Sequence, residues 1–299
     1  MKKIQSHIIA AAILLIMPIG LSAQAPVMKI GLIADAQYCY CETSGTREYR
    51  KSADKLREAV KEFNADKVNF TIEVGDLIDR DFASFSTMKE ILGTLSSAWI
   101  FVPGNHDFNV VDSLKKTVWK MAGAKKGYWS QVIGEVRLIY LNGYQNSVVA
   151  YAKGKKDYIE NIDRLNELTK EKAKNAFDWN GGLGKKQLAW LQTEIEEANQ
   201  ARQKLIIFCH QPPIPGEAHS LWDSKKLIKT MAGSRHRVLY ICGHKHSGGD
   251  DTIGNIHIIN LKGMVEGTGN AFSILNVYPD RWEVKGYGNQ GNADGNWKK

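Results

Sequence analysis

Beyond its first 25 residues, this chain of 299 has no apolar run long enough to cross a bilayer, so no membrane span is expected in the mature protein. It also lacks a block of lysine or arginine. Its 40 basic residues are scattered among 32 acidic ones, whereas nucleic-acid grooves show clustered charge, so no such groove is evident. Internal repeats and an interdomain linker are absent too, and residues 26–299 read as one domain. Cysteine is scarce: Cys39, Cys41, Cys209 and Cys242, with none at a lipidation position behind the apolar start. Spacing does not choose a pairing. Cys209 and Cys242 are either neighbours on adjacent strands or small buried hydrophobes.

The start has the layout of a cleaved secretory signal peptide over residues 1–25. A basic Met1-Lys2-Lys3 precedes the apolar stretch Ile8 to Ile19, and Leu21-Ser22-Ala23-Gln24-Ala25 offers small-residue cleavage points. The expectation is a periplasmic or secreted protein, in a compartment where disulfides are allowed. Cleavage removes two lysines and no acids, leaving a net charge of +6 and a mildly phosphate-friendly surface.

What the chain does contain is a repeated local pattern. Val27 to Ile33 reads as a strand and stops at Asp35-Ala36-Gln37; Val68 to Val74 stops at Gly75-Asp76; Trp99 to Val102 stops at Pro103-Gly104-Asn105-His106-Asp107. Helices are expected between them, near 47–64 and 84–95, the first with Ala53, Leu56, Ala59, Val60 and Phe63 on one face. Strands alternating with helices imply βαβ units, which gather their functional groups at the carboxyl ends of the strands. Two later apolar runs also end in histidine: Ile206 to Phe208 before Cys209-His210, and Tyr240 to Cys242 before Gly243-His244-Lys245-His246. In extended backbone His244 and His246 face the same way, so each could serve one of two adjacent ions.

Between these halves, 143–183 is polar and lysine-rich with one helix near 158–174. It reads either as a lid carrying Tyr144, Tyr151, Phe177 and Trp179, or as a solvated helix packed on the flank. Among the remaining histidines, His219 has the best chance of touching substrate. Residues from Gly286 onward are Gly/Asn-rich and read as a frayed end.

Collected, the strand ends supply Asp35, Gln37, Asp76, Asn105, His210, His244 and His246 as metal ligands. Asp76 is the natural bridge between two divalent cations. Asp35, Gln37 and His246 would complete one ion, and Asn105, His210 and His244 the other. Mixed imidazole, amide and carboxylate donors suit Mn, Fe, Zn or Co rather than Ca. Such a pair would hold a hydroxide for in-line attack on phosphorus.

The ordered blocks Asp35-x-Gln37, Gly75-Asp76-x-x-Asp79, Gly104-Asn105-His106-Asp107, His210 and Gly243-His244-x-His246 resemble the calcineurin-like metallophosphoesterase signature. The resemblance implies an α/β fold, a four-layer αββα sandwich, with two metals. It also implies that His106 acts on the leaving oxygen without binding metal, while Asp107 orients its ring. Gln37 stands where the common pattern has histidine, which shifts preference toward Mn. That variant, with Asn180-Gly181-Gly182 and Asn260-Leu261-Lys262-Gly263 followed by Glu266, is similar to the manganese-dependent ADP-ribose/CDP-alcohol diphosphatase branch. The branch implies a nucleotide-linked or other phosphorylated small-molecule substrate cleaved at its pyrophosphate bond. Other readings are a broad-specificity phosphomonoesterase or cyclic-nucleotide phosphodiesterase and, from a different class, a non-catalytic metal- or phosphate-binding scaffold.

Overall fold

In the computed structural model, residues 24–122 and 127–299 are described. The leader-like segment therefore lies almost wholly outside the described residues. Strand β1 (Met28–Ile33) leads to α1 (Ser52–Asp66), β2 (Phe70–Glu73), α2 (Ser84–Leu92) and β3 (Ala98–Phe101). Helix α3 (Lys115–Met121) precedes the hairpin of β4 (Trp129–Ile133) and β5 (Val136–Tyr140). The short strand β6 (Asn146–Ser147) comes before α4 (Lys156–Lys170) and pairs with β7 (Gly181–Gly182) after it. Then come α5 (Lys185–Gln200), β8 (Lys204–Phe208), α6 (Ser224–Met231) and β9 (Val238–Cys242). The chain closes with β10 (Ser247–Ile253), β11 (Ile256–Lys262), β12 (Ala271–Val277), β13 (Arg281–Gly288) and β14 (Ala293–Asn296).

The strands form two six-stranded sheets, ordered β14-β13-β12-β1-β2-β3 and β10-β11-β9-β8-β5-β4. Parallel pairing joins β1, β2 and β3 in the first, and β11, β9, β8 and β5 in the second. Side-chain alternation along each strand decides the layering. Ile30, Leu32, Ile72, Leu138, Ile206, Phe208 and Ile241 point into a core shared by the two sheets. Residues of opposite parity, such as Ile207 and Tyr240, meet Leu191, Ile195 and Leu227 of α5 and α6 on the outer face. On the other side, Leu56, Val60 and Phe63 of α1 pack against Ile33 and Phe272. The result is the four-layer αββα sandwich, and α1 buries the face its apolar spacing predicts. Each large apolar side chain so buried contributes about 1.5–3 kcal/mol.

Two features depart from the sequence-based reading, and a third settles what it left open. The tail is ordered: β13 runs to Gly288, β14 pairs with it, and Trp297 is buried with its indole N–H shared between the carbonyls of Tyr278 and Arg281, each at 3.1 Å. One aromatic anchor outweighs the flexible composition around it. Second, β10 is a Gly/Asp-rich edge strand with little apolar signal. Third, a disulfide joins Cys39 and Cys41, while Cys209 and Cys242 are free and buried.

Candidate metal centre

The carboxyl ends of β1, β2, β8 and β9 converge. The loop after β1 is zipped to the loop after β2: Asp35 N–H donates to the Gly75 carbonyl at 2.9 Å, and Gln37 N–H to that of Asp76 at 2.7 Å. Asp35, Gln37, Asp76 and His244 all adopt positive φ, between 45° and 70°. For residues with a Cβ this costs on the order of 1–3 kcal/mol each, and such strain concentrates where side chains must be aimed. Gly75, with φ at 101°, leaves room that a methyl group would take from the His210 ring.

The three histidines share one design: one nitrogen is engaged and the other is turned inward. His210 Nδ1 lies 2.8 Å from the Val74 carbonyl, which can only accept, so Nδ1 carries a proton and Nε2 is the nitrogen turned inward. That nitrogen is 3.3 Å from Asp76 Oδ2 and 3.9 Å from Asp35 Oδ1. Asn180 spends its Nδ2 on the carbonyls of Asn175 and Ala218, so its Oδ1 faces His244 Nε2 at 2.9 Å. His244 Nδ1 is thereby freed and sits 3.2 Å from His210 Nε2. His246 Nδ1 meets Glu266 Oε1 at 2.6 Å, leaving Nε2 3.4 Å from Asp35 Oδ1.

Two imidazole lone pairs facing each other beside buried carboxylates are unfavourable unless a cation or proton lies among them. Asp76, His210 and His244 offer ligand atoms all within 4.8 Å of one another, a grouping that could hold one ion. On the other side of Asp76, Gln37 Nε2 lies 3.2 Å from Asp76 Oδ2 and 3.0 Å from His246 Nε2, while its buried Oε1 has no partner. The Gln37 amide nitrogen is the end that faces Asp76 and His246; turning the amide over would bring the unpartnered Oε1 to that side as a donor for a second cation. Asn105 joins the first group through Tyr144, whose hydroxyl donates to Asn105 Oδ1 at 3.1 Å. Asp35, Gln37, Asp76, His210, His244 and His246 thus meet in one cluster, and Asn105 stands beside it with its Oδ1 on the Tyr144 hydroxyl.

Charge follows the same geometry. Burial alone would raise Asp76, but His210, His106 and His244 hold it below the usual carboxylate range. Burial opposes a charge on His210 and His246, yet Asp76 and Asp35 push the first up to about 9, and Asp35 with Glu266 pushes the second up to about 10. His244 is held well below the ordinary histidine range, first by burial and then by His210. The carboxylates thus favour positive charge at the inward-facing nitrogens of His210 and His246, charge that divalent ions could supply.

One assignment is corrected. Asp107 does not orient His106. Its carboxylate turns back to accept from the N–H groups of Asp76 (2.9 Å), Gly104 (2.8 Å) and Ile78 (3.2 Å). Burial and the Asp76 charge push it up to about 7. The ion-pair partner of His106 is Asp79, whose Oδ1 is 2.9 Å from Nδ1. The Asp107 oxygens are spent on backbone N–H groups of two loops, so the partner of His106 comes from the loop after β2.

Around this centre the 143–183 segment plays neither of its anticipated roles cleanly. Tyr144 is fully buried at the cluster and Asn180 touches His244, while α4 packs on Val148 and Trp222 at the flank. Phe177 and Trp179 stack, half exposed, with ring centroids 4.2 Å apart. His219 lies with its ring 5.5 Å from that of His244. Asn180 and Glu266 were visible in the sequence only as parts of Gly- and Asn-containing segments. Their pairing with histidine required the fold.

The sequence matches the calcineurin-like phosphoesterase family over residues 28–248. It is 26% identical to a manganese-dependent ADP-ribose/CDP-alcohol diphosphatase of Danio rerio over 88% of this chain and 96% of that protein. A protein of the same name from Oryza sativa subsp. japonica is also 26% identical, over 87% of this chain and 91% of its own. Among solved structures, a dimetal phosphatase from Danio rerio superposes with a TM-score of 0.83 at 24% identity, covering 91% of this chain and all of that one.

Proposed function

Because the chain belongs to the calcineurin-like phosphoesterase family, we propose that it hydrolyses the pyrophosphate bond of nucleoside-diphosphate-linked compounds such as ADP-ribose and CDP-alcohols, using two divalent cations, manganese foremost. The names of its relatives support the substrate class. The observation that carries the reading is the set of three histidines, each engaged through one nitrogen and open through the other toward Asp35 and Asp76. Asp35, Gln37, Asp76 and His246 would hold one cation; Asp76, Asn105, His210 and His244 the other. Bound divalent cations supply positive charge for the phosphoryl oxygens and acidify water at the site.

The chain's own groups divide the remaining work. Asp79 engages His106 Nδ1, so Nε2 is the nitrogen left to carry a proton to the leaving oxygen. Both Asp76 and Asp79 favour the protonated ring against the opposing effect of burial. Asp107 acts on backbone, holding the Asp76 and Gly104 turns together. A Cβ on Gly104 would collide with the Asp76 carboxylate, so that approach depends on glycine.

A panel of ADP-ribose, CDP-choline, cyclic AMP and p-nitrophenyl phosphate, run with Mn, Zn, Fe and Mg in turn, tests the proposal. We expect the two diphosphates to be preferred by at least about tenfold in kcat/KM with Mn. Preference for p-nitrophenyl phosphate or cyclic AMP would remove the diphosphatase reading. Inertness toward all four under verified metal loading would favour a non-catalytic scaffold.

Export to the periplasm or the medium belongs to the same proposal. The basic-apolar-small start supports it, as does the Cys39–Cys41 disulfide, which suits an oxidising compartment. Mass spectrometry of the mature protein from fractionated cells should find an N-terminus near Ala23 to Ala25. An intact Met1 in the cytoplasmic fraction alone would contradict it.

A further inference from the structure

Beside His246 opens a cavity of about 490 Å³, with Ser247, Lys262, Glu266, Ala271 and Asn289 in its lining. A second cavity of about 260 Å³, reaching Gln290 and Asn292, shares Ser247 and Lys262 with it, so the two adjoin as one groove. Its wall is built from β10, β11 and the ordered tail: Lys262 N–H donates to Gln290 Oε1 at 2.8 Å, and Asn292 Oδ1 accepts from Gly286 N–H at 2.8 Å.

Lys262 is placed at the join by its neighbours. Gly263 donates its N–H to the His246 carbonyl at 3.1 Å, so Lys262 stands one residue from a residue of the metal cluster. Its aliphatic stem lies across Gly248, where a Cβ would stand 2.7 Å from Lys262 Cγ and where φ is +74°. Glycine is therefore required for the lysine to lie there. The acids on the wall are spoken for: Glu266 pairs with His246 and Arg47, and Asp250 with His257 at 2.7 Å. Among the described residues, no carboxylate pairs with the Lys262 ammonium. An unneutralised lysine among amides, next to a phosphoryl-transfer centre, suits a phosphate bearing hydroxyl groups. A nucleobase would call for aromatic faces, and no Phe, Tyr or Trp lines either cavity.

We propose that this groove receives the phosphorylated, hydroxylated arm of the substrate, a sugar or polyol phosphate, with Lys262 on the phosphate and Asn289 and Asn292 toward the hydroxyls. The inference rests on the diphosphatase reading and names the subsite that reading leaves open. It makes Lys262 a specificity-determining residue.

The test compares ADP-ribose with bis(4-nitrophenyl) phosphate, which lacks a hydroxylated arm, on the manganese-loaded enzyme. In Lys262→Ala the ratio of kcat/KM for ADP-ribose to that for the nitrophenyl ester should fall about tenfold or more, chiefly through KM, and Lys262→Arg should recover most of it. Ribose 5-phosphate should compete with the nitrophenyl ester, with a Ki raised about tenfold in Lys262→Ala. An unchanged ratio with an unchanged Ki overturns the subsite. So does an equal loss on both substrates. If ADP-ribose is not cleaved while the nitrophenyl ester is, the diphosphatase reading fails by itself, and the ribose 5-phosphate Ki alone then decides the groove.

Discussion

Replacing Asp76 with asparagine is expected to eliminate stoichiometric binding of two manganese ions and to reduce turnover by at least about 10³-fold. The effect should exceed that of any other single ligand because Asp76 is common to both halves of the cluster. Its Oδ2 lies 3.3 Å from His210 Nε2 on one side and 3.2 Å from Gln37 Nε2 on the other. The backbone hydrogen bond should survive. Oδ1 accepts the His106 N–H at 2.7 Å, and an amide oxygen can accept that bond equally. Removing a carboxylate that is 1% exposed also relieves repulsion from Glu73 and Asp107, both raised by burial and by the Asp76 charge. It also removes the charge attracted to His210, His106 and His244, which outweighs burial in holding Asp76 below the usual carboxylate range, so the apo variant should melt below the wild-type temperature, while the upward shift that manganese gives the wild type disappears. Two ions per chain by metal analysis of Asp76→Asn would refute the shared-carboxylate assignment.

His106→Ala should behave in the opposite way: metal content stays near wild type while kcat for ADP-ribose drops by about 10²- to 10⁴-fold. His106 is outside the group of inward-turned nitrogens, and its Nδ1 is taken by Asp79. If its task is to protonate the leaving oxygen, the loss depends on the leaving group. A sugar phosphate or nucleotide leaves poorly without a proton, whereas a nitrophenolate leaves readily, so the decrease on bis(4-nitrophenyl) phosphate should be much smaller. Asp79→Asn should show the same leaving-group dependence at reduced size, since it removes the charge that favours the protonated ring. Asp107→Asn should not, because its carboxylate serves backbone N–H groups. Equal losses of His106→Ala on both substrates would assign the histidine to binding or structure rather than proton transfer.

The chain by itself was enough to name the six residues that converge, Asp35, Gln37, Asp76, His210, His244 and His246, since each stands at or shortly past the end of an apolar run whose period and boundaries are local properties. Residues 35, 37, 76, 105, 210, 244 and 246 all come directly after strands or just past a glycine, where chemistry-bearing side chains in a parallel sheet collect. The buried face of α1 was readable for the same reason: Ala53, Leu56, Val60 and Phe63 recur at helical spacing. The apolar-to-polar switches also set the order of strands and helices along the chain.

Tertiary structure alone decided the partners. Val74, Asn180 and Glu266, which engage the three histidines, lie 136, 64 and 20 positions away from them in the chain. No periodicity records such pairings. The acid beside His106 is Asp79 rather than its neighbour Asp107, because the Asp107 carboxylate is drawn to the N–H groups of Gly104 and, across the loops, of Asp76 and Ile78. The ordered tail, held by Trp297, and the groove it helps to wall are likewise products of packing between distant segments. Local spacing sets which residues stand at strand ends, since it needs only neighbours along the chain. Which of them meet, and through which atom, depends on how two sheets stack, and that is settled by the shared apolar core.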